Sequence, residues 1–273
     1  MRPQNSNRRA RGPLFWLLTL LVALPGALFL LVSAGLLIYT NWPMGVDDLT
    51  LPEIDTQAEH IVVISHGMRD SRTTWGDGLK HVLKARNELA QIISLDWNPY
   101  SRSTFRCSVD GRRVGQLLGE RLAASRRLKS LHLIAHSCGA FVSLGICESL
   151  RAVRSQHAEQ GNITIQSTFL DPVTVYGGMF WDFGLKRFGS CADFSDAYIN
   201  ASDDVPGSNQ LLPATHTFDV TGLRIAAGFS GSPHLWPTVY YQSLAESGRD
   251  LDLRADPDVV TDYPQNVLTT ISQ

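Results

Sequence analysis

The sequence predicts an α/β domain, with a mostly parallel sheet covered by helices on both faces and one transmembrane helix before it. Short β-branched runs alternate with segments of helical periodicity, which is typical of a parallel sheet with crossover helices. A long uncharged apolar segment near the N-terminus is typical of a membrane span. The length of 273 residues fits one large domain, and the formal net charge of −2 gives no electrostatic attraction to nucleic acid, so we expect no nucleic-acid partner.

The N-terminal segment has the composition of a bilayer anchor. Residues 1–12 carry four arginines and no acid, residues 13–40 carry no charged side chain, and acids follow in residues 41–58. At about 1.5 Å per residue, a helix over 13–40 crosses the roughly 30 Å hydrocarbon layer. Because basic flanks stay in the cytoplasm, we predict a cytoplasmic basic tail at 1–12, a transmembrane signal-anchor at 13–40, a connector at 41–58 and an extracytoplasmic domain at 59–273.

A cleaved signal peptide is the alternative for the same segment. Val32, Ser33 and Ala34 form a small-residue cleavage site before Gly35. The apolar run continues beyond this site through Ile38, which favours a retained anchor. Cleavage would instead release a secreted domain, so both alternatives place the domain outside the cytoplasm.

Strand-like and helix-like segments alternate along the rest of the chain. Runs rich in β-branched and apolar residues predict strands, and apolar residues spaced three and four apart predict helices. The predicted strands are His60–Ile64, Gln91–Asp96, Leu131–Ala135, Ile163–Leu170, Asp196–Asn200 and His216–Val220, and the predicted helices are Gly111–Lys129, Ala140–Arg154 and Thr238–Ser247. Strands that alternate with helices in this way pair in parallel.

A serine turn follows the third predicted strand. Residues 135–139 have the sequence Ala-His-Ser-Cys-Gly and match the pattern G-x-S-x-G, with alanine in the first position. In a nucleophile elbow, small residues two positions before and after the serine let the strand turn sharply into a helix and expose the hydroxyl. We therefore predict Ser137 as a nucleophile, with Ala135 and Gly139 as the small residues of its elbow. A chance serine in a strand-to-helix turn is the alternative for this motif taken alone.

A second loop follows the first predicted strand, where a sheet of this kind places its oxyanion-binding residues. Residues 65–68 have the sequence Ser-His-Gly-Met. A tetrahedral intermediate needs two fixed N–H donors, and the main-chain amides of Met68 and Cys138 are the predicted pair. His66 and Gly67 then support the oxyanion loop, and we do not expect His66 to act as a base.

Three histidines follow Ser137 and compete for the role of its base. A serine hydroxyl is a weak nucleophile until a histidine removes its proton, and the expected chain order is serine, acid, histidine. His157 comes before the strand that should carry the acid, and His216 opens a predicted strand, which fits a structural role. His234 lies in a loop after the last predicted strand, so we predict it as the base.

The acid that orients this histidine has more than one candidate. Asp171 directly follows a predicted strand, at the end where parallel sheets collect their site residues. Asp203 and Asp204 are its rivals after the next strand. Asp96 also ends a strand, but it precedes Ser137, so we expect a structural hydrogen-bonding role for it. The sequence therefore favours Asp171 as the acid and leaves Asp203 and Asp204 as alternatives.

Four short motifs together resemble one group of enzymes. They are Ile-Ser-His-Gly at 64–67, Leu-Asp-Trp at 95–97, Ala-His-Ser-Cys-Gly-Ala at 135–140 and Leu-Asp-Pro at 170–172. Over residues 60–173 the chain is similar to the pancreatic-lipase-type lipases and esterases of the α/β-hydrolase fold. The resemblance implies an α/β-hydrolase domain with a serine triad whose acid lies in an Asp-Pro step, which supports Asp171. Ala135 in place of glycine and Cys138 in place of leucine depart from that group, and a C-terminal lipid-binding β-domain is not expected.

Four cysteines in an exported domain permit disulfides. Cys107 and Cys191 fall in loop-like stretches, so we expect a bridge between them, while Cys138 and Cys147 are expected to pack as small side chains. The spacing alone leaves the pairing open. The sequence has no cysteine or histidine spacing typical of a metal site, so neither a metal nor a cofactor is predicted.

Residues 173–194 are rich in aromatic side chains and glycine. They lie between Asp171 and the next predicted strand. An insertion there either forms a cap that admits an apolar acyl chain or packs against the sheet, and the sequence leaves both alternatives open.

These features together predict a membrane-anchored serine hydrolase that cleaves carboxylic esters of acyl or lipid substrates through an acyl-enzyme. A non-catalytic domain of the same fold that binds a lipid or a protein is the alternative from another class, and the candidate triad counts against it. A thioesterase, an acyltransferase or a peptidase would use the same residues, because the fold does not determine the acyl acceptor or the leaving group. The sequence indicates no particular protein partner.

The uncharged segment leads to a prediction for the full chain. Because moving many apolar side chains from a bilayer into water is unfavourable, the protein should stay in the membrane fraction after high-salt or carbonate washing, as measured by immunoblots of pellet and supernatant. A soluble form whose N-terminus lies near Gly35 would contradict the retained anchor and support the signal peptide.

Overall fold

The computed structural model describes residues 12–42, 45–46, 48–86, 89–156, 163–250 and 263–271. Its contacts divide the chain into two compact units, Met1–Trp42 and Pro43–Gln273. The basic tail predicted at 1–12 lies outside the described residues except for Gly12, and so does His157, one of the three histidines that follow the candidate nucleophile.

The first unit contains one apolar helix, α1, at Pro13–Asn41. Its mean hydropathy is 2.5, and by length and composition it is able to cross a membrane. Pro25 lies inside the helix, and the helix continues past Gly35 without a break. An N-terminal signal sequence has the same properties, so the predicted apolar helix is confirmed, while its retention in a membrane stays a prediction.

The second unit is built on one sheet, in which the described residues supply seven parallel strands. The strands are β1 (His60–Ser65), β2 (Gln91–Leu95), β3 (Ser130–His136), β4 (Thr164–Leu170), β5 (Phe194–Ile199), β6 (His216–Asp219) and β7 (Val267–Thr270), in the order β2-β1-β3-β4-β5-β6-β7. Every neighbouring pair is parallel. The predicted parallel α/β sheet is therefore confirmed, and the ends of each predicted strand are correct to within about two residues.

Helices connect these strands. They are α2 (Gly76–Arg86), α3 (Cys107–Ala123), α4 (Ala140–Ser155), α5 (Phe183–Arg187), α6 (Thr221–Ala226) and α7 (Trp236–Glu246), with single 3₁₀ turns at Ser137–Gly139 and Pro233–Leu235. The helix predicted at 111–129 begins and ends earlier than expected, as α3. The sequence does not predict α2, α5, α6 or β7. Helix α2 buries only Gly76 and Leu79, α5 and α6 are only five and six residues long, and β7 buries none of its residues, so none of these elements has a strong apolar pattern.

Side chains from alternate positions of β1 to β5 pack into two separate hydrophobic clusters. On β1, Ile61 and Val63 join one cluster with residues of α3 and α4, whereas Val62 and Ile64 join the other with residues of α2 and α7. Successive side chains of a strand point to opposite faces of its sheet, so both faces are buried. This confirms the predicted helices on both faces and explains why β1 is a continuous apolar run.

Two glycines let α3 and α4 pack backbone against backbone. A Cβ atom added at Gly115 would lie 2.1 Å from the carbonyl oxygen of Val142, and one added at Gly145 would lie 2.1 Å from that of Arg112. These distances are far shorter than a van der Waals contact, so only glycine allows the close approach. The contact fixes α3, which begins at Cys107, against α4.

Two disulfides join the four cysteines, and the predicted pairing is wrong. The bridges are Cys107–Cys138, with Cα atoms 6.3 Å apart, and Cys147–Cys191, with Cα atoms 6.1 Å apart. The turn after β3 places Cys138 against the start of α3, and Cys147 on α4 meets the loop before β5. Both contacts join residues that are distant along the chain, which is why spacing does not reveal them.

Candidate active site

The register of the strands brings the ends of β1, β3 and β4 together at one edge of the sheet. The last residue of β1 pairs with Ala135 of β3, and His136 of β3 pairs with Leu170 of β4. Since the carboxyl ends of parallel strands meet at the same edge, Ser137 and Asp171 are neighbours, and the loop after β1 lies on the other side of the serine.

Ser137 lies in a strained turn. Its φ angle of 54° is in the left-handed region, which costs a residue with a side chain ~1–3 kcal/mol. A Cβ atom added at Gly139 would lie 2.6 Å from the carbonyl oxygen of His66 and 2.7 Å from that of Ser65, so the turn packs directly on the end of β1. Ala135 is fully buried. A strained serine between two small, closely packed residues is what a nucleophile elbow requires, and the role of this turn stays a prediction.

His66 holds the loop after β1 through its hydrogen bonds. Its Nδ1 lies 2.9 Å from the carbonyl oxygen of Gly67, and its Nε2 lies 3.3 Å from the main-chain nitrogen of Trp97. The indole N–H of Trp97 donates to the carbonyl oxygen of His66 at 2.8 Å. Asp96 accepts the main-chain N–H of Asn98 at 3.1 Å, a structural contact of the kind expected for it. Both ring nitrogens of the buried His66 are engaged, which suits a supporting role better than that of a base.

Gly67 and Met68 extend this loop toward the serine. A Cβ atom added at Gly67 would lie 2.9 Å from Cβ of Ser137, so the close approach needs glycine. Met68 lines the same cavity as Ser137 and Cys138. The two residues whose amides are the predicted oxyanion donors thus border one space with the candidate nucleophile.

His234 lies in the 3₁₀ turn Pro233–Leu235 and contacts two carboxylates. Its Nδ1 lies 2.8 Å from Oδ2 of Asp203, in a hydrogen bond, and 3.3 Å from Oδ2 of Asp171. Its Nε2 is buried and has no hydrogen-bond partner among the described residues. One ring nitrogen is therefore oriented by acids, and in the neutral ring the other is the nitrogen that can accept a proton.

His216, the other described histidine after Ser137, has a structural environment. Its Nε2 lies 2.8 Å from the hydroxyl oxygen of Thr269, and its ring packs on Phe218 with centroids 4.1 Å apart. These contacts agree with the structural role expected from its place in a strand.

Two further polar side chains hold the turn that carries His234, and both were missed by the sequence predictions. Nε2 of His136 donates to the carbonyl oxygen of His234 at 3.0 Å. The side-chain amide of Asn200 donates to the carbonyl oxygen of Pro233 at 2.9 Å. Burial, together with the nearby His234, lowers the pKa of His136 to about 3, so this ring stays neutral. His136 occupies a variable position of the serine motif and Asn200 follows a strand, so no local pattern marks either residue.

The structure brings two of the three candidate acids to His234. Asp171 is fully buried with a φ angle of 46°, and its Oδ1 accepts the main-chain N–H of Asn209 at 3.2 Å. Asp203 is also buried. Asp204 is exposed, so the choice of acid lies between Asp171 and Asp203.

These acids and His234 shift one another's pKa. Burial raises the pKa of Asp171 to about 6 despite its contact with His234. Burial also opposes the charge on Asp203, but hydrogen bonds from His234 and Ser208 outweigh it and lower the pKa. Burial lowers the pKa of His234, yet the two acids outweigh it and raise the pKa to about 9. Asp203 is therefore the more readily ionised partner of the imidazole.

The same three side chains have the composition of a small metal site. One ligand atom from each of Asp171, Asp203 and His234 lies within 4.8 Å of the others. A metal ion would need Nδ1 of His234 as a ligand without its proton, whereas the hydrogen bond to Asp203 needs that proton. Nδ1 of His234 therefore cannot bind a metal ion and donate a hydrogen bond to Asp203 at the same time.

A cavity of about 230 Å³ lies beside Ser137. Its lining is mostly apolar and includes Phe105, Val173, Val175, Trp181, Val205 and Pro206. A mostly apolar lining with a few polar groups at one end is typical of a site for a small apolar ligand.

Residues 173–194 divide between two environments. Phe183 and Phe188 pack around Phe141 of the core, with ring centroids 6.1 Å and 5.0 Å from it. Trp181 is 59% exposed and lines the cavity. Both alternatives for this segment therefore hold in part: one portion packs against the sheet, and another borders the space beside the serine.

Comparison with solved structures finds two proteins with distant similarity to this chain. A protein from Xanthomonas campestris pv. campestris that is assigned to the alpha/beta superfamily of hydrolases is 14% identical, with a TM-score of 0.43 over 69% of this chain and 96% of that one. Aspergillus fumigatus lipase B is 14% identical, with a TM-score of 0.41 over 77% of this chain and 58% of the lipase. No protein-family model and no curated protein matches the sequence. The strand order and direction of this chain, with the serine turn after β3, are those of an α/β-hydrolase fold.

The contact with Asp203 leads to a prediction for the titration of His234. Because a nearby carboxylate stabilises the imidazolium, His234 should lose its proton above the ordinary histidine value of about 6.5, and Asp203→Asn should lower its pKa. Histidine NMR titration of the isotope-labelled full chain measures both values. Asp204→Asn changes an exposed neighbour and should leave the pKa of His234 unchanged. Equal pKa values in the wild-type and Asp203→Asn proteins would contradict the ion pair.

Proposed function

We propose that this chain is a membrane-anchored serine hydrolase that cleaves carboxylic esters of acyl or lipid substrates. The observation that carries the proposal is the environment of His234 at the edge of the sheet where Ser137 makes its turn. This histidine has acids at Nδ1 and a buried Nε2 without a partner in the part of the chain that the structure describes. The ring of His66, by contrast, has contacts at both nitrogens, and His136 has no acid at either of its ring nitrogens among the described residues.

In the proposed reaction, Nε2 of His234 accepts the hydroxyl proton of Ser137 while Oγ attacks the ester carbonyl carbon. The carbonyl oxygen becomes an oxyanion that accepts hydrogen bonds from the main-chain amides of Met68 and Cys138. Collapse of this intermediate breaks the bond to the alcohol oxygen, which takes the proton from His234 and leaves an acyl-enzyme. Water then attacks the acyl-enzyme with His234 as base, which releases the acid and restores Ser137. These steps use no cofactor.

We propose that Nδ1 of His234 donates its hydrogen bond to Asp203, which makes Asp203 the acid of the triad. The shorter distance, 2.8 Å against 3.3 Å, and the lowered pKa of Asp203 support this assignment. The family resemblance implies Asp171 instead, and Asp171 remains a second carboxylate close to the same nitrogen. A negative charge on either acid stabilises the imidazolium that forms during attack.

The cavity supports an apolar acyl group as the part of the substrate that binds beside Ser137. Its volume of about 230 Å³ and its mostly apolar lining suit a hydrocarbon chain better than a charged or sugar group. Phe105 and Trp181 are 48% and 59% exposed and add apolar surface at its border. We therefore propose esters with an apolar acyl chain as the substrate class.

We further propose that α1 is retained as an anchor and that the second unit lies on the extracytoplasmic side. The arginines before the apolar segment and the acids after it support this orientation. The two disulfides also support an oxidising compartment, because such bridges rarely persist in the cytosol.

Two alternatives use the same residues differently. In a non-catalytic domain that binds a lipid or a protein, Ser137 would be no more reactive than an ordinary serine. In a metal-dependent hydrolase, Asp171, Asp203 and His234 would hold the ion, and a chelator would remove the activity. Labelling of the serine, together with the effect of a chelator on turnover, distinguishes all three.

Ser137→Ala should abolish both fluorophosphonate labelling and ester turnover of the full chain in detergent, because it removes the attacking oxygen. Labelling is measured by gel fluorescence and turnover with chromogenic esters. Ser143→Ala, which changes a buried serine on α4, is the matched control and should be labelled like the wild type. Undiminished labelling of Ser137→Ala would contradict the nucleophile, and loss of wild-type turnover with EDTA would support the metal-dependent alternative.

Asp203→Asn should lower kcat on the order of 10⁴-fold, the precedent for replacing a triad acid by an amide that favours the wrong histidine tautomer. Asp171→Asn should lower kcat by a much smaller factor, because Asp203 still accepts the proton of His234. Turnover per folded molecule is the quantity to compare, with Asp204→Asn as the exposed control. A larger loss of kcat in Asp171→Asn than in Asp203→Asn would show that Asp171 is the acid, as the resemblance implies.

A further inference from the structure

The Cys107–Cys138 disulfide joins the turn that carries Ser137 to the first residue of α3. Cys138 directly follows Ser137, and its main-chain N–H is one of the two proposed oxyanion donors. Both cysteines are buried, and both line the cavity beside the serine. The bridge is therefore part of the wall of the proposed site.

The end of the bridge on α3 is firmly held. Arg106, the residue before Cys107, forms a buried ion pair with Asp110, with N–O distances of 2.6 Å and 3.1 Å. The hydroxyl oxygen of Ser108 accepts the main-chain N–H of Gly177 at 2.9 Å, which ties the start of α3 to the loop after β4. The close packing of α3 on α4 adds a third restraint, so Cys107 is a fixed point in the structure.

The other end of the bridge needs such a fixed point. The left-handed conformation of Ser137 persists only where its surroundings hold it. Gly139 packs on the end of β1, and the carbonyl oxygen of Ser137 accepts the N–H of Val173 at 3.3 Å. These contacts restrain the residues on either side of Cys138, whereas the disulfide restrains Cys138 itself.

We propose that the Cys107–Cys138 disulfide is a positioning element, which holds the main-chain N–H of Cys138 toward the oxyanion that forms on the substrate. The proposal rests on the proposed function, because it requires a tetrahedral intermediate on Ser137. The sulfur atoms take part in no bond change and act only through the amide. The second bridge, Cys147–Cys191, joins α4 to the loop before β5, and neither of its cysteines lines the cavity.

The second bridge provides a matched control for the first. Cys107→Ala/Cys138→Ala removes the bridge at the site, and Cys147→Ala/Cys191→Ala removes the other. The bridged cysteines are separated by 31 and 44 residues, so chain entropy predicts similar losses of thermal stability. Both variants are made in the full chain and assayed at a temperature where circular dichroism shows that each is folded.

Cys107→Ala/Cys138→Ala should lower kcat by about 10² to 10³-fold, which is the loss caused by removing one oxyanion donor. Its KM should change by less than about threefold, because the amide acts in the transition state. The control double variant should keep kcat within about twofold of the wild type, since its bridge contacts no part of the proposed reaction.

A trifluoromethyl ketone gives a readout that a purely structural role would not move. It forms a reversible tetrahedral adduct with a reactive serine, so its affinity depends on the oxyanion donors. The affinity should fall together with kcat in Cys107→Ala/Cys138→Ala and should be unchanged in the control. If the first double variant does not fold, Cys107→Ser removes the same bridge while leaving Cys138 in place and is measured in the same way.

The outcomes separate this proposal from the function on which it rests. Equal losses of kcat in the two double variants, or an unchanged affinity for the trifluoromethyl ketone without the first bridge, would overturn the positioning role and leave the proposed hydrolase intact. A wild-type chain that neither labels with fluorophosphonate nor cleaves esters would overturn the hydrolase and the positioning role together.

Discussion

The left-handed turn at Ser137 is the constraint on which the rest of the candidate site depends. Strand β3 ends at His136 and α4 begins at Ala140, so the chain reverses within three residues, and backbone sterics disfavour the φ angle of 54° that this requires. Close packing on the end of β1 leaves room only for glycine at 139, and a disulfide ties residue 138 to α3. The position of Ser137 and Cys138 on the wall of the cavity follows from this turn.

Two carboxylates beside one imidazole suit the proposed chemistry. Asp171 and Asp203 both lose hydration on burial and repel each other. His234 offsets part of that cost as their shared partner, and its pKa rises to about 9 as a result. A raised pKa makes His234 a stronger base once it is neutral, and the same carboxylates stabilise the imidazolium that forms when Ser137 gives up its proton.

Local patterns in the sequence were sufficient for six of the seven described strands and for the serine turn. A continuous β-branched run such as His60–Ser65 predicts a strand buried on both faces, and the structure places its alternate residues in two clusters. Small residues on each side of Ser137 predict the turn, and chain order predicts His234 as base. The edge strand Val267–Thr270 could not be predicted, because all four of its residues are exposed and leave no apolar pattern.

The sequence by itself determined the parallel α/β architecture, the position of the serine turn and the group of residues from which a triad could be drawn. Only the tertiary structure decided that Cys107 pairs with Cys138 and that Asp203 lies nearer to His234 than Asp171 does. It also decided that His136 holds the turn of His234. The physical reason is that periodicity and turn chemistry depend on residues close along the chain, whereas the distance between side chains from different strands is set by the register and packing of the whole sheet.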